Sequence, residues 1–283
     1  LQWLEAEHSL FWLCGKAGSG KSTLMKHLQT AITTKAPLYS ATSTARSAVV
    51  LEHYFWSPGS RMQNSIEGML RTLLYQLVQA RPEVVELGIR QKSSYEGHGS
   101  WSEGEMLSVI SKASEAGLKM VLLIDGLDEC QEDHHLLLKR LMSLLSLRNV
   151  KLCVSSRPWQ AFKGGFASHA SLSLETANSI DLERYTIDQL CQYSRGSPLR
   201  SKFDPELTAG AARFVGKVVS RAEGVFLWLF LVLRRLGPRM RFSRSLSDLE
   251  PLLSAFPREL ETYLKDHVYA RISETWSYLL YTS

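Results

Sequence analysis

Eight residues, Gly15-Lys16-Ala17-Gly18-Ser19-Gly20-Lys21-Ser22, constrain this chain more than any other stretch. They complete the pattern G-x-x-x-x-G-K-[ST], in which each residue type has a physical task. Glycines at 15, 18 and 20 admit backbone turns that a side chain would block, so that N–H groups can wrap a phosphate chain. Lys21 brings a point charge to the β- and γ-phosphates, and Ser22 brings a hydroxyl to Mg²⁺. The helix expected from Thr23 points its positive end at the same anion. Composition alone produces this pattern about once in 10⁴ to 10⁵ positions. Its surroundings agree: Leu10–Cys14 is a short apolar run of strand type, and Leu24, Met25, Leu28 and Ile32 recur at helical spacing. The expected ligand is a nucleotide.

A second landmark follows the continuous apolar run Lys119–Ile124, which reads as a parallel strand buried on both faces. It ends in Asp125-Gly126-Leu127-Asp128-Glu129. A carboxylate at such a strand end lies where open α/β sheets bind ligands, so Asp125 is a candidate to hold Mg²⁺ together with Ser22. Asp128 or Glu129 could then orient or deprotonate an attacking water. The alternative is an acidic turn ahead of a helix from about Asp133 to Leu147. A third landmark is Val150–Val154, a strand ending in Ser155-Ser156-Arg157-Pro158-Trp159. Arg157 at that tip is a candidate sensor of triphosphate against diphosphate, or an ordinary surface arginine.

Between the landmarks, 49–56 reads as a strand, Gln63–Ala80 as a helix, and Ser102 with Glu105 as the capping box of a helix running to Ala116. Residues 40–44 and 93–100 read as loops, and 170–174 as a weaker fifth strand. Beyond Asn178 only helical periods remain. They include the apolar run Val225–Leu233, a helix expected to stop at Gly237-Pro238, and a last helical stretch from Pro257 to about Leu280. The change of period near residue 177 divides the chain into a P-loop domain, 1–177, and a helical subdomain, 178–283.

Bulk properties narrow the class. The 283 residues are 45% hydrophobic and 22% charged, as in a globular protein. The Val225–Leu233 run is about half of what a bilayer requires, so a buried helix is expected rather than a membrane anchor. No signal peptide is visible, and Cys14, Cys130, Cys153 and Cys191 form no C-x-x-C pair. A reducing, cytoplasmic setting without a zinc site is expected. The net charge of +5 is concentrated between Arg195 and Arg244. No aromatic-interleaved motif accompanies those cations, so a solvated face or a contact with another protein domain is expected before nucleic acid or acidic lipid.

With these three landmarks the sequence resembles the NACHT family of signal-transducing NTPases, and most closely the fungal set of heterokaryon-incompatibility and nephrocystin-like proteins. FWLCGKAGSGKSTLMKHL from Phe11, VLLIDGLDEC from Val121, VKLCVSSRPW from Val150 and AEGVFLWLFLVLRRL from Ala222 carry the resemblance. It implies an α/β fold: a five-stranded parallel P-loop NTPase sheet of STAND or AAA+ type, with the SSRP strand between the other two landmark strands. An all-helical subdomain would follow and pack on the nucleotide, and further helices are expected after it, so that the sequence reads as either a fragment or a stripped-down gene product. By position, Gly15, Lys16, Ala17, Gly18, Ser19, Gly20, Lys21, Ser22 and Thr23 would bind phosphate, and Asp125 would serve Mg²⁺. Asp128 would position water and Arg157 would sense the phosphate. The resemblance also implies a switch that exchanges diphosphate for triphosphate, self-associates and hydrolyses slowly. Family members usually carry an effector domain ahead of the loop, then a winged helix and repeats, and no such segments are expected within these 283 residues.

The leading expectation is such a regulatory switch, using ATP or GTP with Mg²⁺. The residues do not choose between the bases. One alternative is a protein-interaction scaffold that holds nucleotide without turnover. A small-molecule P-loop kinase is another, although no arginine-rich lid is evident. The lack of an N-K-x-D and of an L-S-G-G-Q speaks against a Ras-like GTPase and an ABC ATPase.

Overall fold

The computed structural model describes residues 2–5, 9–35, 48–86, 101–203 and 208–265. Five strands form one sheet: β1 Leu10–Cys14, β2 Val49–Tyr54, β3 Met120–Asp125, β4 Val150–Ser156 and β5 Ala170–Ser173. Their spatial order is β2-β3-β4-β1-β5. The chain runs parallel in the β2–β3, β3–β4 and β4–β1 pairs. This is the expected α/β fold, with β4 between the strand of the glycine-rich loop and the strand of Asp125. The loops expected at 40–44 and 93–100, and the helical stretch beyond residue 265, lie outside the described residues.

Side chains of a strand alternate between faces, and both faces of this sheet are covered. Leu10, Trp12, Leu51, Leu122, Ile124, Leu152 and Val154 pack into a large apolar cluster. Three helices supply its other half: α3 Ile66–Ala80, α4 Glu103–Glu115 and α5 His134–Leu145. The intervening residues Leu13, Val121, Leu123 and Cys153 pack instead with Met25 and Ile32 of α2, Lys21–Lys35. β3 is therefore buried at every residue, which explains its unbroken apolar run. The capping box is present, Ser102 N–H donating to Glu105 Oε2 at 2.7 Å and Glu105 N–H to Ser102 Oγ at 3.3 Å.

Several boundaries in this part differ from expectation: the strand expected over 49–56 stops at Tyr54, and the helix expected from about Asp133 to Leu147 spans His134–Leu145. The helix read from Gln63 begins at Ile66, capped by Ser65 Oγ, which accepts from Gly68 N–H at 3.1 Å. A separate turn, 61–63, presses so closely on Gly68 that a Cβ there would lie 1.7 Å from the Met62 carbonyl oxygen. β4 also runs two residues beyond Val154, because Ser155 and Ser156 stay in register with Leu13 and Cys14 of β1.

By its contacts the chain divides into two units: Leu1–Gly15 with Lys21–Leu172, and Lys16–Gly20 with Ser173–Ser283. The first also holds a short α1, Gln2–Glu5, and α6, Gln160–Gly165. The second is built from α7 Leu174–Ala177, α8 Ser179–Tyr193, α9 Ala209–Ala222, α10 Phe226–Met240, α11 Glu250–Ala255 and α12 Leu260–Leu264. Its core gathers Leu182, Leu190, Phe214, Val218, Leu229 and Val232 around fully buried Trp228, whose indole N–H donates to the Pro257 carbonyl at 2.6 Å. No helix among the described residues is long and apolar enough to cross a membrane. Part of the basic stretch is engaged within this unit: Lys217 pairs with Glu250 at 2.8 Å, and Arg221 donates to the Phe256 carbonyl at 2.6 Å.

Gly237-Pro238 does not stop α10, which continues to Met240. A proline near a helix end forfeits one hydrogen bond to the preceding turn, and here the surrounding packing outweighs that loss. Gly237 serves close packing rather than termination, since a Cβ on it would lie 2.6 Å from the Tyr193 ring of α8. Gly237→Ala gains up to ~1 kcal/mol of helix propensity but overpacks that contact by ~1–3 kcal/mol. A net fall in thermal midpoint is expected in a melting experiment.

His53 on β2 provides a pH-dependent test. It is 4% exposed, edge-on to Phe55, and its Nε2 has no partner. Burial pushes its pKa down to about 4. Above the unfolded-state value of ~6.5 the ring is neutral in both states and stability is unaffected. As pH falls from there towards 4, the unfolded chain takes up the proton first, and up to about 3 kcal/mol of stability is lost. Urea midpoints measured between pH 7 and pH 4 should show this slope, and His53→Phe should flatten it.

Candidate nucleotide site

The parallel register brings the three sequence landmarks to one edge of the sheet. β1 leads into Gly15, whose N–H donates to the Ser156 carbonyl at 3.3 Å, so the glycine-rich loop starts level with the end of β4. β3 ends beside them in Asp125, which pairs in register with Tyr54 of β2. At a carboxyl edge covered on both faces, ligands have access only where the strands stop.

Within the loop, Gly18 and Gly20 take left-handed φ values of +73° and +101°. Space does not demand glycine at 20, since a Cβ there would meet nothing within 4 Å; the backbone conformation does. Ser19 N–H closes a turn on the Lys16 carbonyl at 3.3 Å. Lys21 opens α2, and its ammonium bends back to the Gly15 carbonyl at 2.8 Å, closing the loop as a ring. Burial lowers the Lys21 pKa, and the carboxylates of Asp128, Asp125 and, more weakly, Glu129 act against that, while Arg157 adds to it. The four charged residues singled out in the sequence thus all act on the loop lysine. Ser22 and Thr23 are exposed on the first turn of α2.

Asp125 is 4% exposed. Ser155 Oγ donates to its Oδ1 and accepts from Gly126 N–H at 3.1 Å, so one hydroxyl joins the ends of β3 and β4. Gly126 takes φ +73°, turning the chain into a short 3₁₀ segment, Leu127–Glu129. Asp128 meets Arg157 twice: the Arg157 N–H donates to Oδ1 at 2.9 Å, and Nε to Oδ2 at 3.1 Å. Glu129 turns the other way and accepts the Ser57 N–H at 3.0 Å, which anchors the loop after β2. In this arrangement both candidate water-positioning acids are engaged by protein donors.

A hydroxyl and a carboxylate, Ser22 and Asp125, are hard oxygen donors of the kind Mg²⁺ accepts. Among the described residues no group of three or more His, Cys, Asp or Glu converges as a protein-only metal cage. Lys16 behaves differently from the rest of the loop. Its N–H donates to Glu175 Oε1 at 2.9 Å and its ammonium pairs with Glu223 at 2.6 Å. The hydrogen bond to Glu223 raises the Lys16 pKa, and the same bond lowers that of Glu223.

Sequence reasoning missed Ser155, Glu175, Asn178 and Glu223. Ser155 had the weak signal of a polar residue following an apolar run. The other three stand about 159 to 207 positions from the loop residues they bond, and no local pattern marks them.

Solved structures of low sequence identity align with this chain. A chain of the Drosophila ORC bound to DNA aligns at 14% identity and a TM-score of 0.43, over 88% of this chain and 58% of that one. The Aeropyrum pernix ORC2 protein in its ADP form aligns at 12% identity and a TM-score of 0.39, over 92% and 67%. Cdc6p from Pyrobaculum aerophilum aligns at 14% identity and a TM-score of 0.36, over 90% and 67%. This chain thus spans under two thirds of the Drosophila chain. No curated protein matches. The model of the family described as Nephrocystin 3, N-terminal, matches residues 1–157, which hold the glycine-rich loop, Asp125, Asp128, Glu129 and Arg157. With more than half of its 283 residues matched, the chain belongs to the nephrocystin 3 N-terminal family.

Proposed function

We propose that this chain is the nucleotide-binding module of a signalling switch of NACHT type, which binds ATP or GTP with Mg²⁺ and hydrolyses it slowly. Its nucleotide state would control conformation and self-association in a cytoplasmic protein. One observation carries the reading: Gly15 and Lys21, on either side of the loop tip, lie with Asp125 and Arg157 at the carboxyl ends of the neighbouring strands β1, β3 and β4. Gly18, Ser19, Gly20 and the first turn of α2 would surround the phosphates with N–H groups, and Lys21 would leave the Gly15 carbonyl to meet their charge. Ser22 and Asp125 would hold Mg²⁺, which when bound neutralises phosphate oxygens. Arg157 would exchange Asp128 for the terminal phosphate, releasing the carboxylate to orient water.

A second reading has a specific observation in its favour. Both oxygens of Asp128 are held by Arg157, and Glu129 by the Ser57 N–H. A site that kept these bonds with nucleotide bound would hold the ligand without turning it over, as a scaffold does. Turnover separates the two. The wild-type chain is expected to bind one fluorescent purine triphosphate in a Mg²⁺-dependent way, and Lys21→Ala to weaken that binding by roughly 10–100-fold, the loss of one charge-assisted contact. Slow multiple-turnover phosphate release that disappears in Asp128→Asn would establish the switch. Binding without any release from the wild type would establish the scaffold.

A further inference from the structure

The tip of the glycine-rich loop, Lys16–Gly20, is held by a set of contacts that the motif does not contain. Asn178, between α7 and α8, donates from Nδ2 to the Ser19 carbonyl at 2.8 Å and to the Gly224 carbonyl at 3.3 Å. Both partners are acceptors, so only the amide nitrogen fits that position. The Leu227 N–H donates to the neighbouring Gly18 carbonyl at 3.0 Å. Gly18 itself rests on Val225, Leu227 and Leu260, where a Cβ would approach Leu260 Cδ2 to 2.8 Å.

The turn that completes this clasp is conformationally demanding. α9 ends in two successive left-handed residues, Glu223 at φ +47° and Gly224 at φ +81°. Gly224 lies so close to α7 that a Cβ would sit 2.3 Å from Glu175 Cα. Asn178 thus bridges two glycine-containing turns, one in the loop and one after α9.

The consequence for the loop follows from peptide geometry. In a planar trans peptide the C=O and N–H point in opposite directions. Holding the Ser19 carbonyl towards Asn178 turns the Gly20 N–H away from it, and the φ of +101° at Gly20 makes that orientation accessible. We propose that Asn178 is a positioning residue for the phosphate loop: it fixes the Ser19–Gly20 peptide so that the Gly20 N–H is presented to the phosphates of a nucleoside di- or triphosphate. The proposal rests on the nucleotide-binding reading above. Asn178 touches no phosphate itself. Its contribution is to hold one donor of the cradle in place before the ligand arrives.

Two variants of the full chain test this. Asn178→Ala removes the bridge. Asn178→Asp keeps the shape and suits the start of a helix, but replaces the donating amide with an acceptor facing two carbonyls. Fluorescent ATP and GTP analogues are titrated, then displaced by the matching unlabelled di- and monophosphates, alongside thermal melting. The expected result is a roughly tenfold loss of diphosphate affinity in both variants, as for one or two lost hydrogen bonds. Monophosphate affinity should be unchanged, and both variants should still melt cooperatively, at a midpoint lowered by the lost hydrogen bonds. A folded Asn178→Asp with wild-type preference for diphosphate over monophosphate overturns the proposal, as does an equal loss for both ligands. Lys21→Ala in the same series separates the two readings. If the wild type binds and Lys21→Ala does not, a silent Asn178 sinks the positioning role alone. If the wild type binds neither analogue, the nucleotide reading fails and this role fails with it.

Discussion

A strand covered on both faces can offer chemistry to solvent only at its ends, and the site of this protein follows from that constraint. β3 is buried from Met120 to Asp125, so its polar termination is the first place along the strand where a charge can be kept. Asp125 remains 4% exposed even there, and such a carboxylate needs a donor. Ser155 supplies it, and the same hydroxyl accepts from Gly126 N–H, so satisfying the buried carboxylate also locks the end of β3 to that of β4. Gly15 N–H on the Ser156 carbonyl adds the end of β1. Few hydrogen bonds, set by parallel register, hold three separate stretches of sequence at one edge.

The charges at that edge are mutually balanced. Lys21 is drawn towards neutrality by burial and opposed by Asp128 and Asp125, while Arg157 engages both oxygens of Asp128. Each group that would act on a nucleotide already has a protein partner: Lys21 the Gly15 carbonyl, Asp128 the arginine, Glu129 the Ser57 N–H. Buried charge without a partner is costly, so ready-made substitutes for ligand contacts are what a stable site of this kind needs. On the nucleotide-binding reading, a triphosphate would have to exchange for these bonds.

Much of the first unit was legible in the residues. The unbroken run of β3, the short apolar run of β1, the Ser102–Glu105 box and the glycine-rich loop are local patterns enforced by local physics. The misreadings share a cause. Gly237 resembles a helix stop until the Tyr193 ring is seen against it, and Gln63 resembles a helix start until Met62 is seen against Gly68. A glycine has the same letter whether it relieves a backbone angle or makes room for a neighbour, and only contacts between distant segments distinguish the two.

The sequence by itself determined which groups the chain can offer: three glycines, a lysine and a serine in the spacing of a phosphate-binding loop, and acids and an arginine at strand ends. Those assignments depend on residue type and short-range spacing, which sequence displays directly. The tertiary structure decided how these groups are held: Asp128 on Arg157, Asp125 on Ser155, Lys16 between Glu175 and Glu223, and the Ser19 carbonyl on Asn178. The reason is physical. Hydrogen bonds and ion pairs form between groups close in space, and folding brings Asn178 to a loop 159 positions away with no periodicity to announce it.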